Sequence, residues 1–381
     1  MPVNADRLPF YYVIVVWGEE YVDSLLNVTL PCLLAPGNLP ALSNLEESRL
    51  VFLTTPQDAA RIQAAPIFAR LKQWITPLFP DSPWLAEPIP YHLKAARGHQ
   101  EAAKLAIENH GICVYLAPDF VLSDGSMSHL LRMAEAGKQA VMIAVPRLIK
   151  ETFFAELDKR HLLKSGEPLA LPSRELVAVT LEHLHEDDRR YNWDHQYFSL
   201  NPVVCMWNVP GEKGLLIHAF HLHPVMVSMR GEQDLSSLQR ETIDGDFLAY
   251  NVDWDNILVE SDSDRIAMFS FTKQRDRLQP LVPQRASIEY VGRMSMLPHV
   301  NPLHKRFFMK PIMLHTADLN ENWRRMEKET DRLAYQILKD SPVGALYSVP
   351  ARSIAWHLLS RIARRICSLF KPRYDQRSRS E

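Results

Sequence analysis

The chain has 381 residues, 46% apolar and 23% charged, a balance that excludes disordered and collagen-like chains and suffices to bury a core without disulfides. Its formal net charge is −2, but residues 351–381 carry eight Lys/Arg against Asp375 and Glu381, a local +6 that leaves −8 on the rest. So acidic a body excludes a general nucleic-acid binder.

Cys32, Cys113, Cys205 and Cys367 lie far apart with no C-x-x-C pair, which argues against a zinc knuckle, a redox motif or a disulfide framework. Residues 1–10 lack the charged-then-apolar layout of a signal peptide. No stretch reaches the roughly 18 apolar residues needed to cross a bilayer. A cytoplasmic protein is expected, with a peripheral position on the inner face of a membrane as an option set by the C-terminus.

In chain order, Tyr11–Trp17 (YYVIVVW) is a continuous apolar run of the kind a strand buried on both faces requires, and Gly18 ends it. The segment after it carries Val22, Leu25, Leu26, Val28 and Leu33 at helical spacing, ended or kinked by Pro31. LVFLTT (Leu50–Thr55) predicts a second strand, and the stretch from Pro56 to Trp74 a second helix. After a proline-rich link, a helix over about Leu93–Asn109 leads into a third strand, Ile112–Ala117. A helix over Met127–Ala136, a stop at Gly137 and a fourth strand over Gln139–Pro146 follow.

Repeated strand-then-helix units predict an α/β fold with a mostly parallel, Rossmann-like open sheet. Ligands of such sheets bind beyond the carboxyl ends of the strands, here Trp17-Gly18-Glu19, Thr54-Thr55, Pro118-Asp119 and Pro146-Arg147. Residues 149–190 read as charged helix. From Tyr191 to Thr272 the pattern turns to short strands and acidic turns, with a hairpin at Pro210-Gly211, and residues 318–370 return to helix. The division expected is a catalytic unit over 1–315, with halves of about 1–150 and 151–315, followed by a helical region over 316–381.

Four groups of residues carry candidate chemistry. Asp119, with Asp124 on the turn after it, can hold a divalent cation or hydroxyls, while Asp124 can equally cap the helix that follows. His218, His221 and His223 are expected on one face of a strand, where imidazoles ligate metals or act as bases. Asp244-Gly245-Asp246 offers two carboxylates across a flexible turn, with Asp262 and Asp264 as a weaker pair. Lys94, Arg97 and His99 begin the helix before the third strand, where cations can meet phosphate. No Walker A loop, G-x-G-x-x-G, G-x-S-x-G or H-E-x-x-H is present, which disfavours P-loop enzymes, dehydrogenases, α/β-hydrolases and common zinc peptidases. In the C-terminal segment, Ile354, Leu358, Ile362, Ile366 and Leu369 form one stripe with arginines opposite. Residues 351–373 thus read as a basic amphipathic helix for an anionic membrane surface, or as a helix docked on the body.

The order of parts resembles the GT-A fold of nucleotide-sugar-dependent glycosyltransferases. Tyr11–Trp17 with EEYVDSLLNVTLPCLL resembles their opening strand and helix, LVFLTTPQDAARI their second pair, and KAARGHQEAAKLAIENHGICVYLAPDFVLSD the segment that delivers an Asp-x-Asp motif. The motif is degenerate: Ala117 falls at its first position and Asp119 at its second. The resemblance implies a nucleotide-sugar donor held by Trp17, Glu19, Tyr21, Thr54, Lys94, Arg97, Asp119 and Asp124. It implies a divalent cation (Mn or Mg) on Asp119, Asp124 and His223, or lysine and arginine in its place. Asp244, Asp246 and His221 become the catalytic candidates, and a glycan, lipid-linked or other envelope acceptor the partner. The competing expectations are a metal-dependent hydrolase built on His221/His223 and Asp244/Asp246, and a sugar- or nucleotide-binding scaffold without turnover.

Overall fold

The computed structural model describes residues 8–276, 279–297 and 300–339. The amphipathic segment 351–373 lies outside the described residues. In chain order the strands are β1 (Phe10–Val15), β2 (Arg49–Leu53), β3 (Thr76–Leu78), β4 (Ile112–Leu116), β5 (Phe120–Leu122), β6 (Ala140–Ile143) and β7 (Arg147–Ile149). They continue as β8 (Val204–Asn208), β9 (Gly214–Ala219), β10 (His223–Ser228), β11 (Ile257–Val259), β12 (Met268–Thr272) and β13 (Ile312–His315).

Seven of these form the main sheet in the order β11-β6-β10-β4-β1-β2-β3. Every neighbouring pair in it is parallel except the two made by β10, which runs antiparallel between β4 and β6. The α/β class and the mostly parallel open sheet expected from the sequence are therefore present. Because β10 is reversed, its first residue, His223, lies at the same edge of the sheet as the last residues of β4 and β6, with His223 opposite Ile143. Pro224 has no N–H for the ladder, and the register against β6 shifts between Pro224 and Met226. Two three-stranded sheets complete the β structure, β5-β12-β7 and β13-β9-β8. The first begins three residues beyond β4, so the chain leaves the main sheet across Ala117, Pro118 and Asp119.

The continuous apolar runs were legible because both faces of the strands are covered: all six residues of β1 and all five of β4 are buried. The helix Tyr91–Glu108 covers this region with Ala96, Gly98, Ala102, Ala103 and Ala106, small side chains that let its backbone approach the sheet. A second apolar core, with Phe198, Trp207, Phe220, Phe308, Trp323 and Ile337 among its members, lies around β8, β9, β13 and the helix Glu321–Lys339. The Pro210-Gly211 hairpin forms between β8 and β9, with Gly211 at φ +80°. The helix expected from Pro56 to Trp74 is instead two, Pro56–Ala64 and Pro66–Leu71, and within the stretch read as strands and acidic turns, residues Gly245–Asn251 form a helix whose N-cap is Asp244. Seven residues are too few to show a helical period against short flanking strands.

Gly98 provides a packing test. A Cβ there would lie 2.5 Å from Val15 Cγ2 and 3.0 Å from Cγ1, and Val15 is itself 8% exposed. Gly98→Ala gains about 1 kcal/mol of helix propensity but overpacks the helix–sheet contact at about 1–3 kcal/mol. The expected result is a lowered unfolding midpoint in denaturant titration. A raised midpoint would mean that the helix backs away from β1 without cost.

Candidate functional site

Asp119 is built into the chain break between the main sheet and β5. The helix after β1 widens into a π turn over Leu25–Thr29, and this turn aims the fully buried Thr29 at the break. Thr29 Oγ1 lies 2.9 Å from the carbonyl oxygen of Pro118 and 2.8 Å from that of Phe120, so one hydroxyl grips the backbone on both sides of Asp119. The carbonyl of Asp119 accepts from Phe271 N at 3.0 Å, which ties the same residue to β12. The partly buried carboxyl group is pushed up to about 6 by desolvation, with Lys150 pulling against that shift.

Around it lie cations that sequence spacing did not reveal. Lys150 and Lys273 both pair with Glu20, the former at 3.3 Å, and they hold that carboxyl below its ordinary range. Tyr21 is 51% exposed, and its hydroxyl is pushed up by burial and then by the Asp119 charge. Lys94 Nζ donates to Leu85 O at 2.5 Å and lies 6.0 Å from the centre of the Trp17 ring. Arg97 instead turns to Glu87 at 2.6 Å. Glu19 is exposed, and its carbonyl oxygen accepts from Arg61 at 3.3 Å. Thr54, at the end of β2, is 6% exposed, and its hydroxyl has no hydrogen-bond partner among the described residues. A buried, unsatisfied hydroxyl at a strand's carboxyl end is what a polar ligand would complete.

Asp124 does something else: its Oδ1 accepts from Gly37 N at 2.6 Å, fixing the turn that leads to β2. The expected row of three imidazoles is also corrected. His218 and His221 are an odd number of residues apart, and β9 ends at Ala219 before β10 begins. His218 belongs to the second core, within 2.7 Å of Phe308 O and 3.0 Å of Thr330 Oγ1, and burial lowers it to about 4.

His221 and His223 line a cleft of about 390 Å³ with Phe120, Arg147, Asp188 and Tyr191. His223 Nε2 donates to Tyr115 O at 2.8 Å, just past the end of the β10–β4 ladder. Burial lowers this imidazole to about 4, so it is neutral at pH 7. The ring of His221 lies 4.3 Å from that of His304. A Cβ on Gly245 would come within 2.2 Å of His304 Nε2, so glycine is required for the helix start to approach that ring. Asp244 and Asp246 are thereby brought to the His221 side. Asp244 caps its helix at 2.9 Å from Asp246 N, while Asp246 Oδ1 accepts from Asn301 Nδ2 at 2.5 Å. His99 anchors the same segment from the other side, accepting from Ile243 N at 3.2 Å. Burial, then the Asp246 charge, pushes Asp244 up to about 7.

The residues expected to hold a divalent cation do not converge as three protein ligands. Among the described residues the group of three ligand atoms that converges, within 4.8 Å, is Asp262, Asp264 and His315. Asp119, Asp124 and His223 form no such group, and neither do His221, His223, Asp244 and Asp246. In the convergent group His315 Nε2 is 2.9 Å from Asp262 Oδ1, and Arg174 forks onto Asp264 at 2.7 and 2.9 Å. Those residues are of a kind that can hold a metal, but the arginine already neutralises one of the two acids.

No family model and no curated protein matches the chain. Among solved structures it is similar to TarS of S. aureus, at 9% identity over 94% of this chain and 53% of that one, with a TM-score of 0.31. It is also similar to GalNAc-T7 in a structure with UDP, GalNAc and Mn2+, at 8% identity over 89% of this chain and 59% of that one, with a TM-score of 0.34. The chain thus spans little more than half the length of either protein.

Two predictions test the geometry. Thr29→Val keeps the shape but leaves the Pro118 and Phe120 carbonyls without their buried donor, and should cost about 1–3 kcal/mol of stability. Thr29→Ser should restore most of the loss in the same denaturant titration. Asp244 titrates near 7 when folded, against 3.8 for an ordinary aspartate such as the unfolded chain presents. Unfolding therefore releases its proton between those values, and stability falls as pH rises through that window, then levels off above about 7. Asp244→Asn removes this slope, so the variant's melting temperature should gain on the wild type's between pH 5 and pH 8. Parallel curves would refute the raised carboxyl.

Proposed function

We propose that the protein is a glycosyltransferase that moves a sugar from a nucleotide-sugar donor to an acceptor hydroxyl. The observation that carries this reading is the pairing at one sheet edge of a clamped, half-buried Asp119 under the influence of Lys150 with a separate cleft lined by His221 and His223. The GT-A-like sequence of elements supports the same reading. In it the donor lies over the carboxyl ends of β1, β2 and β4, with Trp17, Tyr21 and Thr54 about the nucleoside and Asp119 at the sugar or diphosphate. Lys150, Lys273 and Lys94 neutralise the leaving diphosphate, the task the expected cation would have performed. Arg97, paired with Glu87, and Asp124, held on Gly37 N, take supporting roles in this reading.

The chemistry is one bond made and one broken. The acceptor oxygen bonds to the anomeric carbon as the bond from that carbon to the diphosphate oxygen breaks, and the nucleoside diphosphate leaves. The acceptor proton passes to Asp244, whose raised carboxyl is matched to proton transfer near neutral pH. Asp246 and His221 orient that end of the site. An acceptor glycan at a membrane surface would suit the basic segment 351–373.

Thermal unfolding against a panel of nucleoside diphosphates and nucleotide-sugars, with Mn2+, Mg2+ or EDTA, is the test. One nucleotide should raise the midpoint by mass action, and the rise should persist in EDTA. A rise that vanishes in EDTA would show that a cation, not lysine, carries the diphosphate. No rise with any nucleotide would remove the donor site. Asp244→Asn should keep the nucleotide shift while lowering kcat by about 10²–10⁴-fold. For the wild type, kcat/KM should climb as pH rises through about 7. Nucleotide binding with no transfer to any acceptor would leave a binding scaffold.

A further inference from the structure

The cleft between β6, β9 and β10 has its own electrostatics. Apart from imidazoles, the charged groups among its lining residues are Arg147 and Asp188, and they are spent on each other. Arg147 donates to Asp188 Oδ1 from Nε at 2.9 Å and from Nη2 at 2.7 Å, and its backbone N–H donates to Asp188 Oδ2. Asp188 is 3% exposed, which locks the pair in place. Behind it Asp187 lies 3.9 Å from Arg147 and 3.7 Å from Arg190, so two acids match two arginines and the cluster carries no net charge. Arg190 is committed elsewhere, donating to the carbonyl oxygens of Tyr197, Gln279 and Pro280.

His223, beside the Tyr191 and Ser270 hydroxyls that also line the cleft, points the same way. His223 donates its Nε2–H to Tyr115 O and is neutral at pH 7, so its Nδ1 lone pair is an acceptor for a hydroxyl. Its ring meets Phe120 edge-on at 5.1 Å, and the walls beyond are Val145, Pro146, Val204, Met206 and Ile217. An anion placed here would give up its water for apolar walls, a lone pair and an arginine already forked to a carboxylate. A hydroxyl-bearing neutral ring would find an acceptor in His223, hydroxyl partners in Tyr191 and Ser270, and an apolar surface for its faces. The donor edge, with Lys94, Lys150 and Lys273, has the opposite character.

We infer that this cleft takes an uncharged, hydroxyl-bearing ligand with an apolar face, the class to which a neutral glycoside belongs, and that the Arg147–Asp188 pair excludes anions. The inference rests on the transferase reading only in naming this ligand the acceptor. Binding itself is testable without turnover.

Calorimetric titration of the full chain with neutral phenyl glycosides, phenyl uronides and phenyl phosphate, with and without the nucleotide that shifts the midpoint, reads the selectivity directly. The neutral glycosides should bind at least about tenfold tighter than either anion, a difference of about 1.4 kcal/mol. Equal affinity, tighter anion binding, or no glycoside binding would overturn the inference. A nucleotide shift surviving any of these outcomes would leave the donor reading intact, whereas glycoside selectivity without any nucleotide shift would sink only the transferase reading. Val204→Trp, at a half-buried wall position, should abolish glycoside binding and spare the nucleotide shift. Asp188→Asn frees the Arg147 charge and should move the preference at least about tenfold toward the uronides. If that variant fails to fold, the wild-type panel and Val204→Trp still decide the matter.

Discussion

One hydroxyl organises the site. Thr29 reaches both carbonyls flanking Asp119, at the three-residue gap where the chain leaves β4 for a different sheet. A gap of that kind would otherwise hold two unsatisfied buried carbonyls and a carboxylate free to swing. The π turn that delivers Thr29 gives up regular helix geometry over five residues, a concession found mostly where function needs it. Because β12 also holds the Asp119 carbonyl, the second sheet and the main sheet meet at this residue.

The reversal of β10 is the second constraint. A parallel strand in its place would send its first residue to the far edge of the sheet. Running antiparallel, it returns His223 to the carboxyl ends of β4 and β6, and Pro224 with its register shift marks where the ladder gives way to the site. The result is two neighbouring environments of different polarity on one edge. Lysines gathered on Glu20 leave excess positive charge beside Asp119, while Arg147 and Asp188 cancel beside the imidazoles.

Much of the frame was legible because burial on both faces writes a continuous apolar run, as in β1, β2, β4 and β6. Position at a strand's end then singled out Asp119 with no tertiary information. The three-residue strands β5 and β7 were not legible, since nothing so short carries a period. The helix after Asp244 was misread for the same reason, and its capping carboxylate was taken for a turn residue. The histidine row failed on parity: His221 and His223 keep a spacing of two, while His218 turns to another core and hydrogen-bonds there. Asp124 could be read two ways, and the backbone of Gly37 takes it up.

Sequence alone determined the α/β class and the order of the parallel strands' local units, because those depend on patterns within a few residues of one another. The tertiary structure decided which charges meet. Lys150 with Lys273 on Glu20, Arg147 with Asp188, and His221 with His304 each join segments distant along the chain, and whether a cation faces a carboxylate or open solvent is a property of distance in space. That is why the residues that give each half of the site its charge appear only once the chain is folded.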